Sequence, residues 1–226
     1  MANSLIDCTT FFVDNNIFIN IGLDPDFLLN CVICVSNNTQ YVKMSVEFYK
    51  SLNIGIKNIN FLLPSHLLLD EFKLVSIEEF NGDNVLSIKC LEKDQTVQLT
   101  EENVSRFLHL SDAIEEVIQV KTMYTRSTAL LQACEISMYL GKEMPLPKDT
   151  KISEVEDYLT RIDVQELKGQ LQFTGLCLIA DLKMKAVKQL ARGWLSSSTK
   201  TESEVNRLTR VERKRAKVTR RLSFHL

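Results

Sequence analysis

Two patterns in the 226-residue chain bring together residue types that could do chemistry. The first is Cys31-Val32-Ile33-Cys34, a C-x-x-C spacing that metal sites and redox pairs use. The segment is typical of a β-strand, in which residues three apart point to opposite faces, so the two thiols cannot clamp one metal ion without a turn. No second such pair and no nearby histidine completes a tetrahedral set. We therefore expect both cysteines in the core, and all six cysteines of the chain as free thiols.

The second pattern is a basic tail, defined here as residues 196–226. Eight lysines and arginines occupy its last twenty positions: Arg207, Arg210, Arg213, Lys214, Arg215, Lys217, Arg220 and Arg221. These basic residues flank a narrow apolar stripe, a pattern typical of a helix that forms on binding a polyanion. They are candidate phosphate-binding residues. The alternatives are a mobile terminus, a nuclear import signal at Lys214-Arg215-Ala216-Lys217, and an assembly element that neutralises an acidic neighbour.

Charge is distributed unevenly along the chain, although its net value is only −2. Residues 1–120 carry 17 Asp and Glu against 7 Lys and Arg, whereas the remainder carries 12 against 20. A polyanion should therefore be drawn to the C-terminal half. The chain is 45% hydrophobic, has no apolar run of membrane-spanning length and shows no signal-peptide pattern at Met1. We therefore expect an intracellular protein without a membrane partner, and the basic tail favours the nucleus.

No pattern of an enzyme is present. The chain has no Gly-rich phosphate loop, nucleophile elbow, H-E-x-x-H or paired-carboxylate signature. Its three histidines, His66, His109 and His225, are too far apart in sequence to suggest a site. We predict a non-enzymatic protein with no cofactor, no metal site and no catalytic residue.

The clearest organisation lies in Leu74–Ile118. Apolar-rich strands flank the turn Phe80-Asn81-Gly82-Asp83, which predicts a hairpin. A third short strand ends at Leu99, and the hydroxyl of Thr100 is placed to cap a helix beginning at Glu101. The helix carries an apolar stripe, with a kink expected at Ser111-Asp112.

An internal repeat is indicated when residues 17–60 are aligned with 72–118 at an offset of 55. Val42-Lys43-Met44-Ser45 then matches Val97-Gln98-Leu99-Thr100, and Cys31-Val32-Ile33 falls on Leu86-Ser87-Ile88. Chance similarity between two amphipathic strand-to-helix units is the alternative. The segment Asn60–Phe72 would link the units, with Pro64 ending the first helix.

From Met123 onward the apolar period becomes helical. We expect a helix capped by Ser127 and stopped by Gly141, another behind the capping-box sequence at Ser153, and a third from Thr174 to Leu195 with Lys185, Lys188 and Arg192 off its apolar face. The predicted fold class is α+β, with two tandem antiparallel-sheet-plus-helix units and an α-helical C-terminal region. The predicted domains are 1–120 (units about 11–63 and 70–120), 121–195 and 196–226.

The residues of the hairpin and the helix entry resemble a known family. Val75-Ser76-Ile77, Phe80-Asn81-Gly82, the strand from Val85 to Ile88, and Leu99-Thr100 look like the single-stranded-DNA-binding domain of the Positive Cofactor Four coactivators. The duplicated arrangement resembles the Whirly proteins and the mitochondrial guide-RNA-binding proteins of trypanosomes. The resemblance implies binding of single-stranded nucleic acid, with the two halves paired like two subunits, and assembly into dimers or tetramers.

The resemblance also implies a binding face on the second sheet. Phe80 would stack on a base, and Lys73 and Lys89 would contact phosphates. The chain departs from the family at Glu78, Glu79 and Asp83, which stand where the family is basic, and at Cys90-Leu91, which replaces an aromatic residue. Carboxylates repel phosphates, so the family's nucleic-acid contact at this hairpin is lost, moved to another face, or replaced by a contact with a protein.

Two functions follow as expectations. The first is largely sequence-independent binding of single-stranded DNA or RNA by a self-associating protein, because phosphate contacts carry no base discrimination. The second is a structural or assembly protein that uses the same fold as a dimerisation scaffold and binds a protein through its acidic face.

Overall fold

The computed structural model describes residues 5–62, 65–70, 72–142, 152–163 and 176–197. It contains two four-stranded antiparallel sheets, each followed by helices, and a long helix near the C-terminal end. This arrangement confirms the predicted α+β class with two tandem sheet-plus-helix units.

The first unit is a meander of four strands followed by one helix. Its elements are β1 (Ile6–Phe12), β2 (Phe18–Asp24), β3 (Asn30–Ser36), β4 (Tyr41–Ser45) and α1 (Val46–Ile56), and the strands lie in the order β1-β2-β3-β4. The inner face of this sheet is buried, whereas much of its outer face carries polar side chains. Ser45 caps α1, because its hydroxyl accepts a hydrogen bond from the Phe48 amide at 3.1 Å.

The second unit repeats this order. Its elements are β5 (Ser65–Leu69), β6 (Lys73–Phe80), β7 (Asp83–Cys90), β8 (Gln95–Leu99) and α2 (Glu101–His109). Asn81 and Gly82 turn the β6–β7 hairpin with φ of 54° and 90°, which only a glycine adopts without strain at the second position. The Thr100 hydroxyl accepts from the Asn103 amide at 3.2 Å and caps α2. The predicted hairpin and helix entry are both confirmed.

The two helix caps, Ser45 and Thr100, stand 55 positions apart, as the sequence alignment predicts. The connection between the units differs from the prediction. Helix α1 ends at Ile56, well before Pro64, which lies outside the described residues. The segment expected to be a linker contains β5, which pairs with β6 and completes the second sheet.

The remaining helices are α3 (Ser111–Val120), α4 (Arg126–Lys142), α5 (Ile152–Arg161) and α6 (Leu176–Ser197), with a π-helical turn, Lys121–Thr125, between α3 and α4. Leu110 separates α2 from α3, which confirms the predicted kink. Ser127 is not an N-cap, because the helix runs continuously through it and its hydroxyl donates to the Tyr124 carbonyl at 3.0 Å. Lys185 is buried rather than off the apolar face, since its amine reaches the Pro25 carbonyl at 2.7 Å.

One hydrophobic cluster joins the inner faces of both sheets to the six α-helices of the described residues. Cys31 belongs to this cluster, whereas Cys34 packs in a small cluster on the outer face, so the two thiols point apart as predicted. Among the described residues the five cysteines whose side chains are placed are free. None of the described helices combines the length and apolarity needed to cross a bilayer.

Candidate nucleic-acid interface

A groove of about 800 Å³ opens where the two sheets approach each other, and we call it the basic groove. Its walls come from β3, β4, the start of α1, the β7–β8 turn and the π-helical turn. Five of its lining residues are cationic: Lys43, Lys50, Lys73, Lys93 and Arg126. The groove therefore gathers cationic side chains that are up to 83 positions apart in the chain.

The positive charge of the basic groove contrasts with the acidity of the chain around it. Four of its cations belong to residues 1–120, where only seven basic residues occur. Of the acidic residues of this stretch that the structure describes, Glu47 and Glu92 line the groove. The lining of the groove thus carries five cations against two described carboxylates, whereas residues 1–120 as a whole are acidic.

Two of the five cations have carboxylate partners. The Lys43 amine lies 2.6 Å from the fully buried Asp24 carboxylate. The Lys73 amine lies 3.5 Å from the Asp70 carboxylate and 5.3 Å from the centre of the Phe48 ring. These two lysines are held in place and largely neutralised.

The other three cations are available to a ligand. Within the described part of the chain, Lys50, Lys93 and Arg126 form no ion pair, and the two lysines are exposed. The guanidinium of Arg126 donates to the Leu28 carbonyl at 3.5 Å, while its Nε is buried without a hydrogen-bond partner. A buried unpaired donor of a cation is costly, and an anionic oxygen would satisfy it once the side chain turned toward the groove.

A π-helical turn directs Arg126 into the basic groove. Lys121, at its first position, is buried and donates to the Asp7 carboxylate at 2.8 Å and to the Asp7 carbonyl. Asp7 has φ of 50°, at an irregularity in the pairing of β1 with β2. This anchor fixes the turn against β1, so that Thr122 and Arg126 line the groove.

Aromatic side chains accompany the charges. Phe27 and Phe72 line the basic groove with 64% and 40% of their surface exposed, and Tyr41 stands at its edge. Phe27 belongs to the β2–β3 turn, in which Leu28 and Leu29 both adopt positive φ, at 50° and 56°. Leu29 is fully buried, and this turn leaves Phe27 in solvent beside the cations. Exposed rings next to a positively charged groove are the two components that single-stranded nucleic-acid sites combine.

The structure separates the site residues that the sequence placed on one sheet face. Lys73 lies on the inner-face register of β6 with Val75 and lines the basic groove. Phe80 and Lys89 lie on the opposite face of the second sheet. The eight candidate residues of the basic tail, Arg207, Arg210, Arg213, Lys214, Arg215, Lys217, Arg220 and Arg221, lie outside the described residues.

Lys89 is not a free cation. Its amine lies 2.7 Å from Oε1 of Glu78, which also accepts from the Ser76 hydroxyl at 2.7 Å. Burial acts to raise the pKa of the Glu78 carboxyl, but the hydrogen bonds from Lys89 and Ser76 outweigh it and hold that pKa below its usual range. A carboxylate that stays ionised beside Lys89 cancels its attraction for a phosphate.

Sequence reasoning missed four residues of the basic groove, Lys43, Lys50, Lys93 and Arg126. A signal for two of them exists, because Lys43 and Lys50 flank the predicted helix cap Ser45 in a stretch that is otherwise poor in basic residues. Lys93 and Arg126 carry no such signal.

The described residues contain no group of three or more His, Cys, Asp or Glu side chains that could hold a metal ion. Comparison with protein-family models, with curated proteins and with solved structures gave no match to the chain. The resemblance to the Positive Cofactor Four and Whirly proteins therefore stays a prediction from the residues. What the fold and the site define is an α+β protein whose two sheet-plus-helix units enclose a cationic, aromatic groove.

Proposed function

We propose that the protein binds single-stranded nucleic acid, with the phosphates of the strand in the basic groove. The observation that carries this proposal is the concentration of cations in that groove, with Lys50, Lys93 and the Nε of Arg126 unpaired among the described residues. Phosphate oxygens are the ligands that such donors bind best in nucleic acids.

A single strand fits this surface better than a duplex. Phe27 and Phe72 offer ring faces to bases, and only unpaired bases can turn their own faces outward to stack. A duplex is wider and carries phosphates on both strands, so it would bring more of them close to the acidic residues outside the groove. The proposal covers DNA and RNA alike, because both carry the phosphates that the groove would bind.

The basic tail extends this function. Its eight basic residues would contact phosphates beyond the groove and add affinity that falls steeply with salt. The tail adds no base discrimination, because it contacts only the backbone of the strand.

The direct test is a titration of the full chain against labelled single strands and the matching duplex by fluorescence anisotropy. We expect tighter binding of the single strand, with an affinity that falls as salt is raised. An affinity that does not change with salt, or a preference for the duplex, would contradict the proposal.

A second candidate function is that of an assembly scaffold, in which a second copy of the chain covers an apolar stripe. Four residues spaced four or seven positions apart along α3, the π-helical turn and α4 are each between 44% and 66% exposed: Val120, Tyr124, Leu131 and Met138. This spacing places them on one helical face, and an exposed apolar stripe of this kind is typical of a contact surface.

Sedimentation in low and high salt, with and without nucleic acid, separates this candidate from the first. A self-associated form that resists salt and ignores nucleic acid supports the scaffold. The double variant Leu131→Glu, Met138→Glu should then dissociate, whereas the control Asn58→Glu, Gln119→Glu, which adds the same charge at exposed polar positions off the stripe, should not. A wild-type chain that is monomeric under all conditions would rule the scaffold out.

A further inference from the structure

The outer face of the first sheet carries a second concavity of about 370 Å³, within the size range of small-ligand sites. We call it the amide cleft, and its ten lining residues include no charged side chain. The residues that define it are the rings of Phe12, Phe18 and Tyr41 and the amides of Asn20, Asn37 and Gln40. A neutral cleft with rings and amides suits an uncharged, flat, hydrogen-bonding ligand.

The apolar wall of the amide cleft is an aromatic pair. Phe12 and Phe18 stand directly opposite each other on β1 and β2, with ring centroids 5.4 Å apart in an edge-to-face arrangement. Phe12 keeps 70% of its surface in solvent. Its ring is therefore free to take a second flat partner, and stacking with a nucleobase is the contact that aromatic residues on sheet faces make best.

The polar wall is an ordered chain of hydrogen bonds. The Thr10 hydroxyl donates to Oδ1 of Asn20 at 2.8 Å, and Nδ2 of Asn20 donates to the Ser36 hydroxyl at 3.1 Å. Because Ser36 accepts in this chain, its own hydroxyl hydrogen remains uncommitted among the described residues. Ser36 is only 6% exposed, so this donor lies at the floor of the amide cleft.

The side-chain amides of Asn37 and Gln40 also present donors, because their oxygens already accept hydrogen bonds from the protein. Oδ1 of Asn37 accepts from the amides of Thr39 at 2.9 Å and Gln40 at 2.6 Å. Oε1 of Gln40 accepts from the Thr96 amide of the second sheet at 3.0 Å. In both side chains the oxygen is used by the protein, and within the described structure the NH₂ group is not. A cleft that offers mainly donors favours a ligand edge that carries carbonyl oxygens.

The amide cleft adjoins the basic groove, because Tyr41 lines both. We infer that the cleft takes one unstacked base of the strand whose phosphates lie in the basic groove, and that it favours thymine or uracil over adenine. This inference rests on the proposed function. Thymine and uracil present two carbonyl oxygens to the donors of Ser36, Asn37 and Gln40. Adenine presents its amino group beside a single ring-nitrogen acceptor, so one of these donors would face another donor.

The test compares three strands of about twelve nucleotides, all-thymine, all-adenine and abasic, against the full chain and its variants. Phe12→Ala should weaken binding of the thymine strand by roughly tenfold, as expected for the loss of one stacked base, and leave the abasic strand unaffected. Phe80→Ala tests the face of the second sheet. Tyr158→Ala is the control, since Tyr158 is a partly exposed aromatic residue of α5 that lies outside both concavities. It should leave both affinities unchanged.

A second variant tests the donors. Gln40→Glu keeps an oxygen for the Thr96 amide and replaces the NH₂ group with an acceptor. Its added negative charge weakens binding of every strand alike, so the measured quantity is the ratio of thymine to adenine affinity, which should fall about fivefold. Lys57→Glu, at an exposed position outside both concavities, adds negative charge without touching the cleft and should preserve the ratio.

The outcomes separate the two proposals. If Phe12→Ala binds the thymine strand as the wild type does and Gln40→Glu keeps the wild-type ratio, the inference is overturned while binding in the basic groove stands. A loss with Phe80→Ala instead of Phe12→Ala also overturns it, because the base would then lie on the second sheet. If the wild type binds none of the three strands, the proposed function fails and the inference fails with it.

Discussion

Neutralising the three unpaired cations of the basic groove is the sharpest perturbation the structure offers. The variant is Lys50→Gln, Lys93→Gln, Arg126→Gln. Lys50 and Lys93 are exposed and form no ion pair among the described residues, so their substitution costs little folding stability. Lys43 and Lys73 are left intact, because removing either one would strand the carboxylate of Asp24 or Asp70.

The size of the effect follows from the number of contacts. Each phosphate neutralised on a single strand adds about 0.7 to the slope of log affinity against log salt concentration, so losing three contacts should reduce the slope by about 2. Over a fourfold change in salt, a slope difference of about 2 corresponds to roughly twentyfold in affinity. The wild type should therefore bind much more tightly than the variant at low salt, and the two affinities should converge as salt rises.

The assay is anisotropy of a labelled single strand at four or more salt concentrations. The matched control is Lys57→Gln, Lys142→Gln, Arg161→Gln, which removes the same charge from exposed positions outside the groove. If the control loses as much slope as the groove variant, binding follows total charge and not the groove. If neither slope changes, the strand does not lie in the groove at all.

Three further predictions concern stability and the tail. Asp24→Asn keeps the acceptor for the Asp26 amide but leaves the Lys43 amine without its carboxylate partner. This variant should lower the free energy of unfolding, measured in urea, by about 2 kcal/mol, and adding Lys43→Met should restore part of the loss. Burial acts to raise the pKa of the Asp14 carboxyl, but hydrogen bonds from the Asn16 amide and from Asn103 bring that pKa below 3.8. The ionised carboxylate therefore stabilises the folded protein above about pH 4, and this contribution is lost as the pH falls through the depressed pKa. Urea midpoints of wild type and Asp14→Asn should differ near neutral pH and converge in acid, and a constant difference would refute this sign. Replacing the eight basic residues of the tail by Gln should reduce the salt slope by up to about 6, and an unchanged slope would remove the tail from binding.

The parts of the fold that were predicted from sequence depend on residues within a few positions of one another. The β6–β7 hairpin follows from Asn81-Gly82, whose positive φ a glycine permits, and both helix entries follow from a hydroxyl, Ser45 or Thr100, three residues before the amide it caps. The repeat was visible for the same reason, because equal local signals recur at a fixed offset.

The parts that were not predicted depend on distant partners. Strand β5 is short and follows a proline, and it forms because its backbone pairs antiparallel with β6. The burial of Lys185 depends on a carbonyl, that of Pro25, 160 positions away. The cations of the basic groove come from separate elements of the fold. The sequence prediction therefore included Lys73, but it grouped Lys73 with Phe80 and Lys89, which lie on the opposite face of the second sheet.

The hydrogen bond from Asn103 to Asp14 has a consequence for the newly made chain. Asn103 holds the start of α2 through Thr100 and also donates to a carboxylate of the first unit, 89 residues earlier. At ribosomal speeds of about 5–20 residues per second, Asp14 is made roughly 4 to 18 seconds before its partner. Until Asn103 is made, the Asp14 carboxylate lacks this donor, and the hydrophobic cluster that both sheets share is incomplete.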